Sequence, residues 1–114
     1  MQALLLLNDI QYVECFRHMA ARIHRDLPEK GDPEKLEQLW RMATGRTPEA
    51  NELAEISEFL TEMRSYFGTN IEAANQLLSV GDSPPGDAID PAEHAAWTMV
   101  CSLIMNLDEV VTKG

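Results

Sequence analysis

Apolar side chains that recur every three or four residues are the feature that most constrains the fold of this chain. The first such stripe consists of Tyr12, Val13, Phe16, Met19, Ala20, Ile23 and Leu27. A period of 3.6 residues places these side chains on one face of a helix, where they can pack against a core. Four later segments repeat the pattern, and none alternates apolar and polar residues as a strand does. The sequence therefore predicts an all-α fold, a compact bundle of about five helices.

Residues that commonly begin and end helices bound the first two segments. Asn8 is expected to cap the first helix, and Asp32 to cap the second with Pro33 at its first position. Gly45 is expected to end the second helix, because glycine readily adopts the left-handed backbone of a helix C-terminus. The predicted core of the bundle contains Phe16, Trp40, Leu60, Phe67, Trp97 and Ile104.

Similar signals bound the last three helices. The Thr-Pro pair at 47–48 is expected to open the third helix, and Gly68 to end it. Thr69 with Glu72 forms a sequence pattern for a capping box, which predicts a short fourth helix. Two prolines and two glycines predict a loop at 80–90, and the last helix is expected to begin directly after it. One apolar stripe is expected on that helix, made of Trp97, Val100, Cys101, Ile104, Leu107 and Val111.

Length and charge limit the possible partners. The 114 residues fit a single helical domain spanning 1–114, which needs neither a metal nor a disulfide to fold. The net charge of −10 disfavours nucleic acid and anionic membranes, because both require a basic surface. No apolar run reaches the roughly 18 residues of a membrane span. The chain starts inside an apolar helical pattern at 3–7, so we expect a piece of a larger protein, whose apolar start is exposed or covered by an upstream domain.

Cysteine and histidine spacing gives no support for a bound cofactor. Cys15 and Cys101 belong to no C-x-x-C motif, and both are expected on apolar helix faces as buried free thiols. A single bridge between them stays open as an alternative. His18, His24 and His94 lack the three- or four-residue spacing of a helical metal site. We therefore expect no metal and no haem, and hence no cofactor, in this segment.

Two charged patterns have both a functional and a structural interpretation. Glu14 and His18 lie one helical turn apart, with Arg22 one turn further, which suits an acid–base pair or an exposed ladder of ion pairs. The sequence favours the ladder, since His18 points away from Phe16. An acidic face on the third helix could attract a basic partner or simply be solvated. This acidic face consists of Glu49, Glu52, Glu55, Glu58 and Glu62.

Three segments together resemble a known family. They are QALLLLND at 2–9, ATGRTPEANELAEISEFL at 43–60 and AAWTMVCSLIMNLDEVV at 95–111. Their order and spacing resemble the planctomycete-type PSD domain, a domain of unknown function. Thr44 and Met105 stand where that family usually has leucine, and Val110 stands where it has phenylalanine.

The resemblance implies a context rather than a reaction. Members of that family are large exported proteins, in the periplasm or cell envelope, that carry this domain at the C-terminus and often a cytochrome-c-like domain. We therefore expect a non-catalytic helical module that packs against upstream domains of the same protein or against a protein partner. The alternative is one wall of an active site shared with a preceding domain, in a redox or polymer-processing enzyme. Its polar candidates would be Asn8, Asp9, Asn106 and Glu109, for which capping and helix-end hydrogen bonds are the favoured roles.

The second motif also contains an arginine beside a constrained turn. Arg46 follows Gly45 directly and is expected to pair with a carboxylate inside the domain. Glu52 is one possible partner, six residues on. Glu109 is the other, because a cation would offset the unfavourable position of a carboxylate near a helix C-terminus. Glu109 is slightly preferred, since a pair to it would join two distant motifs. The functional alternative is that Arg46 binds an anionic ligand.

Overall fold

The computed structural model describes the backbone of residues 10–79 and 90–113, and the side chains of residues 13–79 and 90–106. Within those ranges the chain forms helices and no strand, which confirms the predicted all-α bundle. The helices are α1 (Ile10–Asp26), α2 (Asp32–Thr44), α3 (Ala50–Thr69), α4 (Ile71–Leu78) and α5 (Pro91–Lys113).

Helix α5 lies at the centre of the bundle and packs against each of the other four helices. Every residue from His94 to Ser102 is buried, so this part of α5 is covered on all sides. The sequence predicted a single apolar stripe on α5, which underestimates how much of the helix is enclosed. All six predicted core residues are buried, at 6% exposure or less. Each contributes roughly 1.5–3 kcal/mol through burial of its side chain.

The C-terminus of α2 has the predicted glycine cap. Gly45 adopts the left-handed backbone, with φ of 80°, and its N–H donates to the carbonyl of Arg41 at 2.9 Å. A residue with a Cβ is strained in this conformation, which explains why glycine stands here. The turn redirects the chain from α2 towards α3.

Two predicted helix starts are wrong by one to three residues. Gly31 is the N-cap of α2, and Asp32 is its first helical residue, because the Asp32 carboxylate bonds Arg64 instead of capping its own helix. Helix α3 begins at Ala50 rather than at 47–48. Glu49 is its N-cap and forms a reciprocal capping box with Glu52.

The junction between α3 and α4 also differs from the prediction. Helix α3 continues through Gly68 to Thr69, and Asn70 alone separates it from α4. The predicted capping box of Thr69 with Glu72 does not form. The Thr69 hydroxyl instead donates back into α3, to the carbonyls of Ser65 at 3.2 Å and Tyr66 at 3.1 Å.

The two cysteines lie in different environments. Cys101 is fully buried on α5, as predicted, whereas Cys15 is exposed on α1, so the prediction of a buried Cys15 is wrong. Both thiols are free. Cys15 follows the stripe of α1 by sequence spacing, but the helix is rotated so that Phe16 and Arg17 face the core. The predicted Asn8 cap, the apolar start at 3–7 and most of the 80–90 loop lie outside the described residues.

Candidate functional site

A network of charged side chains centred on Arg64 joins α2, α3 and α5. The Arg64 guanidinium donates to both carboxylate oxygens of Asp32, with Nη1 at 2.6 Å from Oδ2 and Nη2 at 3.0 Å from Oδ1. On its other edge, Nε lies 2.9 Å from Oε2 of Glu93, and Nη2 also donates to Oε1 of Glu93. Bidentate pairs of this kind combine charge with fixed geometry. We refer to Arg64, Asp32 and Glu93 as the Arg64 clamp.

The clamp shifts the ionisation of all three members. The hydrogen bonds from Arg64 hold the pKa of Asp32 below its ordinary value. Burial raises the pKa of Glu93, but the hydrogen bonds from Arg64 and Trp97 outweigh it, so the pKa lies below the ordinary value. The two carboxylates in turn raise the pKa of Arg64. The clamp is therefore fully ionised at neutral pH.

Aromatic side chains extend the clamp towards α1. The Trp97 indole N–H donates to Oε1 of Glu93 at 3.1 Å. His24 packs edge-on against the Trp97 ring, with centroids 5.0 Å apart and an interplanar angle of 88°. The Nδ1–H of His24 donates to the carbonyl of Ala20 at 2.9 Å, which fixes the ring. Burial lowers the pKa of His24, so it is neutral at physiological pH.

Arg17 and His94 form a second buried polar pair, where α1, α4 and α5 meet. Each side chain is only 2% exposed. Arg17 Nη1 donates to the carbonyl of Leu78 at 2.9 Å, at the C-terminus of α4, and Glu14 lies 3.6 Å from Nη2. The Nε2–H of His94 donates to the Arg17 carbonyl at 2.9 Å, and burial lowers the pKa of His94. Through these bonds the pair holds the C-terminus of α4 against α1 and α5.

The turn between α2 and α3 is held by Arg46. Its Nη1 and Nη2 donate to the two carboxylate oxygens of Glu52, each at 2.8 Å. The guanidinium carbon lies 5.1 Å from the centroid of the Trp40 ring. The hydrogen bonds from Arg46 and from the Glu49 backbone lower the pKa of Glu52 to about 2. Arg46 thus pairs with a carboxylate inside the domain, as predicted, and Glu52 is such a partner. The side chain of the preferred partner, Glu109, lies outside the described residues.

The outer face of α3 borders an open groove against α5. Glu55, Glu58 and Glu62 line its rim, and Phe59 and Leu103 line its floor. The three glutamates are exposed, and both apolar side chains are only partly buried. We refer to this feature as the α3–α5 groove. Among the described residues, none of its glutamates has an ion-pair or hydrogen-bond partner.

Comparison with known proteins identifies the family of this chain. The model of the PSD1 family, described as a protein of unknown function (DUF1553), matches residues 1–60, just over half of the 114 residues. The chain belongs to this family. No curated protein and no solved structure matches it.

The family match covers part of the resemblance that the sequence indicates. Membership of the PSD1 family confirms the resemblance, and the matched residues include the first two of the three motif segments. The Arg46–Glu52 pair lies inside the matched region, whereas the third segment, at 95–111, lies beyond it. The matched region of this chain therefore contains a bond that fixes the turn between α2 and α3.

The polar residues that were candidates for a shared active site are only partly described. Asn106 Nδ2 donates to the Ser102 carbonyl at 2.8 Å, one turn back along α5. This is a local helix bond, in agreement with the structural role favoured from sequence. Asn8, Asp9 and the side chain of Glu109 lie outside the described residues.

The Glu14–His18–Arg22 pattern does not form the predicted ladder. Glu14 pairs with Arg17 at 3.6 Å, and Arg22 pairs with Asp26 at 3.4 Å, while His18 is exposed. Glu14 is drawn towards Arg17 because that cation is buried and bordered by apolar residues. The Arg22–Asp26 pair has the four-residue spacing of the predicted ladder, but it includes neither Glu14 nor His18.

The described part of the chain contains neither a metal-binding cluster nor a membrane-spanning helix. No group of three or more His, Cys, Asp and Glu side chains in it is arranged to hold a metal ion. None of the described helices is long and apolar enough to cross a membrane.

Two important arginines were not singled out from sequence. Arg17 lies four residues after Val13 and three before Ala20, so a charged residue on the apolar face was a usable signal for a buried cation. Arg64 had no such signal. Its partners Asp32 and Glu93 come from two other helices, 32 and 29 residues away.

Proposed function

We propose that this chain is a non-catalytic helical module of an exported multidomain protein, and that it packs against the rest of that protein or against a protein partner. The observation that carries this proposal is that the described arginines and carboxylates with defined partners bond one another or the backbone within the bundle. Arg64 bonds Asp32 and Glu93, Arg46 bonds Glu52, and the buried Arg17 bonds a backbone carbonyl. Residues that hold helices together in this way are unavailable to bind and release a substrate.

An active site instead requires titratable groups that converge on a cleft a substrate can enter. The α3–α5 groove is rich in carboxylates, and the residues that line it include no basic or nucleophilic side chain. Such a surface suits binding rather than catalysis. The exported, multidomain setting is supported by the resemblance of the three motif segments to the PSD domain.

Amide hydrogen exchange tests this proposal directly. Exchange rates are measured on the isolated chain and on the full-length gene product, purified from its own cells under conditions that preserve bound partners. Packing slows the exchange of amides that it covers, because they open less often to solvent. We expect slower exchange in at least one exposed helix turn of this module in the full-length preparation.

We expect the exchange rates of the two samples to differ only in helix turns that a partner or another domain covers. The central part of α5 is already buried and serves as the internal reference, since its protection should be the same in both samples. Identical exchange in every peptide of both samples would show that nothing packs against the module, and the proposal would fail.

A further inference from the structure

The buried pair of Arg17 and His94 holds the C-terminus of α4. Arg17 Nη1 donates to the carbonyl of Leu78, the last residue of α4, at 2.9 Å. The carbonyl of Arg17 in turn accepts a hydrogen bond from the Nε2–H of His94 at 2.9 Å. We refer to Arg17, His94 and the Leu78 carbonyl as the α4 latch. Because Arg17 bonds both partners, a displacement of His94 from α1 also disturbs the residue that holds α4.

The two ring nitrogens of His94 lie in different surroundings. Nε2 faces a carbonyl oxygen, which can only accept, so Nε2 carries the hydrogen of the neutral ring. Nδ1 is buried, and no group in the described part of the chain forms a hydrogen bond with it. Protonation adds a hydrogen at Nδ1, where the closed structure offers no acceptor among the described residues. A buried donor without an acceptor is costly, and more so when it carries charge.

The side chains of α1 near His94 add to this cost. Burial of the ring opposes a positive charge on His94, and so do Arg17, His18 and His24. Together they outweigh the hydrogen bond to the Arg17 carbonyl, so the pKa of His94 lies below its ordinary value of 6.5. Glu14, a carboxylate of the same helix, lies 3.6 Å from Nη2 of Arg17. The ring is therefore neutral while the latch is closed at pH 7.

Carboxylates on the other helices packed around this site serve other partners. The titratable residue of α4 is Glu72, in its first turn, at the end opposite the latch. The Arg64 clamp, which α2 and α3 form with α5, has both carboxylates bound to its arginine. Asp90, before the start of α5, accepts from the Glu93 N–H at 3.3 Å. The charge of a protonated His94 is thus not offset by these groups.

The connection of α4 to α3 allows the C-terminus of α4 to move separately from the bundle. Helix α4 has only eight residues, and a helix this short depends on its packing rather than on its own hydrogen bonds. Asn70 alone joins it to α3, with a non-helical backbone at φ −134° and ψ 62°. Rotation at Asn70 would lift the buried Ala74 and Leu78 from the core and bring water to Nδ1 of His94.

We propose that the α4 latch is a pH-sensitive switch: protonation of His94 releases the C-terminus of α4 from Arg17 and exposes the apolar side of α4. In the open state the ring is hydrated, so its pKa returns to the ordinary value of 6.5. The open state therefore binds the proton more tightly, and its population rises as the pH falls below about 6.5. The switch lies within the module and operates independently of the partner that the proposed function invokes.

Amide hydrogen exchange resolved by NMR tests the switch on the intact chain at pH 7, 6 and 5, with rates corrected for the pH dependence of free amides. Local opening is recognised by exchange that is faster than that of central α5 and nearly independent of added urea. For the amides of 75–79 we expect the local opening constant to rise about tenfold from pH 7 to pH 5, since uptake of one proton permits at most about 30-fold. The C-terminal turn of α2, at 41–44, is the reference and should change less than about twofold, because α2 contains no histidine.

Two histidine variants separate His94 from ionisation elsewhere. His94→Gln keeps a side-chain N–H for the Arg17 carbonyl but does not titrate, so its α4 opening constant should change less than about twofold over the same range. His18→Gln is the matched control, because it removes an exposed histidine of α1, and it should retain the tenfold rise. Ring nitrogen chemical shifts of the wild type, which need no variant, should show a neutral His94 with its hydrogen on Nε2 at pH 7.

The proposal is overturned if 75–79 exchange only together with central α5, if their local opening constant does not change with pH, or if His94→Gln retains the rise. A protonated His94 ring at pH 7, or a hydrogen on Nδ1, would also overturn it, even where His94→Gln fails to fold. These results leave the module function untouched, because that function is tested by protection of exposed helix turns in the full-length preparation.

Discussion

Replacing Arg64 with methionine tests whether the Arg64 clamp holds the bundle together. The substitution retains most of the side-chain length and removes the charge, so Asp32 and Glu93 are left facing each other without a cation. Arg64 is 33% exposed, Glu93 32% and Asp32 42%, which places the clamp between a surface pair and a buried one. Two surface pairs cost at most about 2 kcal/mol when broken, whereas a buried pair costs about 3–5 kcal/mol. We expect Arg64→Met to lower the free energy of unfolding by about 2–3 kcal/mol.

The pH dependence distinguishes lost electrostatics from lost packing. In the wild type, Asp32 and Glu93 have pKa values below their ordinary values of 3.8 and 4.5. Their contribution is therefore present above the unfolded-state pKa and is lost as the pH falls through the folded-state pKa. In the variant, two carboxylates without a cation gain stability from protonation. The difference in stability should therefore be largest near pH 7 and should shrink as the pH falls below about 5.

Urea unfolding at several pH values, followed by circular dichroism, measures this difference. Arg25→Met is the matched control, because Arg25 is 74% exposed and pairs only loosely with Asp26 at 3.4 Å. We expect the control to cost less than about 0.5 kcal/mol. A loss below about 1 kcal/mol for Arg64→Met, or a loss that does not change with pH, would contradict the structural role of the clamp.

Three further outcomes follow from the other sites. Arg46→Ala should cost about 1 kcal/mol in urea unfolding, less than Arg64→Met, because Arg46 is 40% exposed and its pair with Glu52 lies at the surface. A loss above about 3 kcal/mol would show that the pair is buried in solution. Burial lowers the pKa of His94, so the buried neutral ring stabilises the fold above the unfolded-state pKa of about 6.5, and this stabilisation is lost as the pH falls. In His94→Gln, the free energy of unfolding should therefore fall less steeply between pH 6.5 and 5, by at most about 1.4 kcal/mol per pH unit. An unchanged slope would contradict a buried neutral His94. Cys15 should react with a thiol reagent in the native state, whereas Cys101, whose thiol pKa is raised by burial, should react only on unfolding; equal rates would refute this contrast.

Periodicity was sufficient for the fold class because each helix has its own apolar face. The core residues Phe16, Trp40 and Trp97 follow from spacing alone, and all three are buried. Helix ends were less predictable, since caps compete with tertiary bonds. Asp32 is a good capping residue by type, yet its carboxylate bonds Arg64, and the adjacent Gly31 occupies the cap position.

Whether a charged pair could be predicted depended on how far apart its members lie in the sequence. Arg46 and Glu52 are six residues apart across a glycine turn, so the pair could be proposed from sequence as one of two alternatives. The Arg64 clamp could not, because it depends on which helices become neighbours. Acidic residues such as Asp32 and Glu93 are common in the first turn of a helix, so their positions alone did not indicate a tertiary contact. Nothing in their own segments indicates a shared partner on α3.

On helix α3, the structural charge of Arg64 and the exposed glutamates lie on different faces. Arg64 lies two residues after Glu62 and six after Glu58, which places it about 160° and 120° around the helix from them, at about 100° per residue. The clamp therefore faces α2 and α5, while the groove glutamates face outward. Substitutions on the two faces share no partner, so their effects on stability should add rather than couple. Neutral substitutions at Glu55, Glu58 and Glu62 should therefore leave intact the Arg64 bonds that keep α3 in place against α2 and α5.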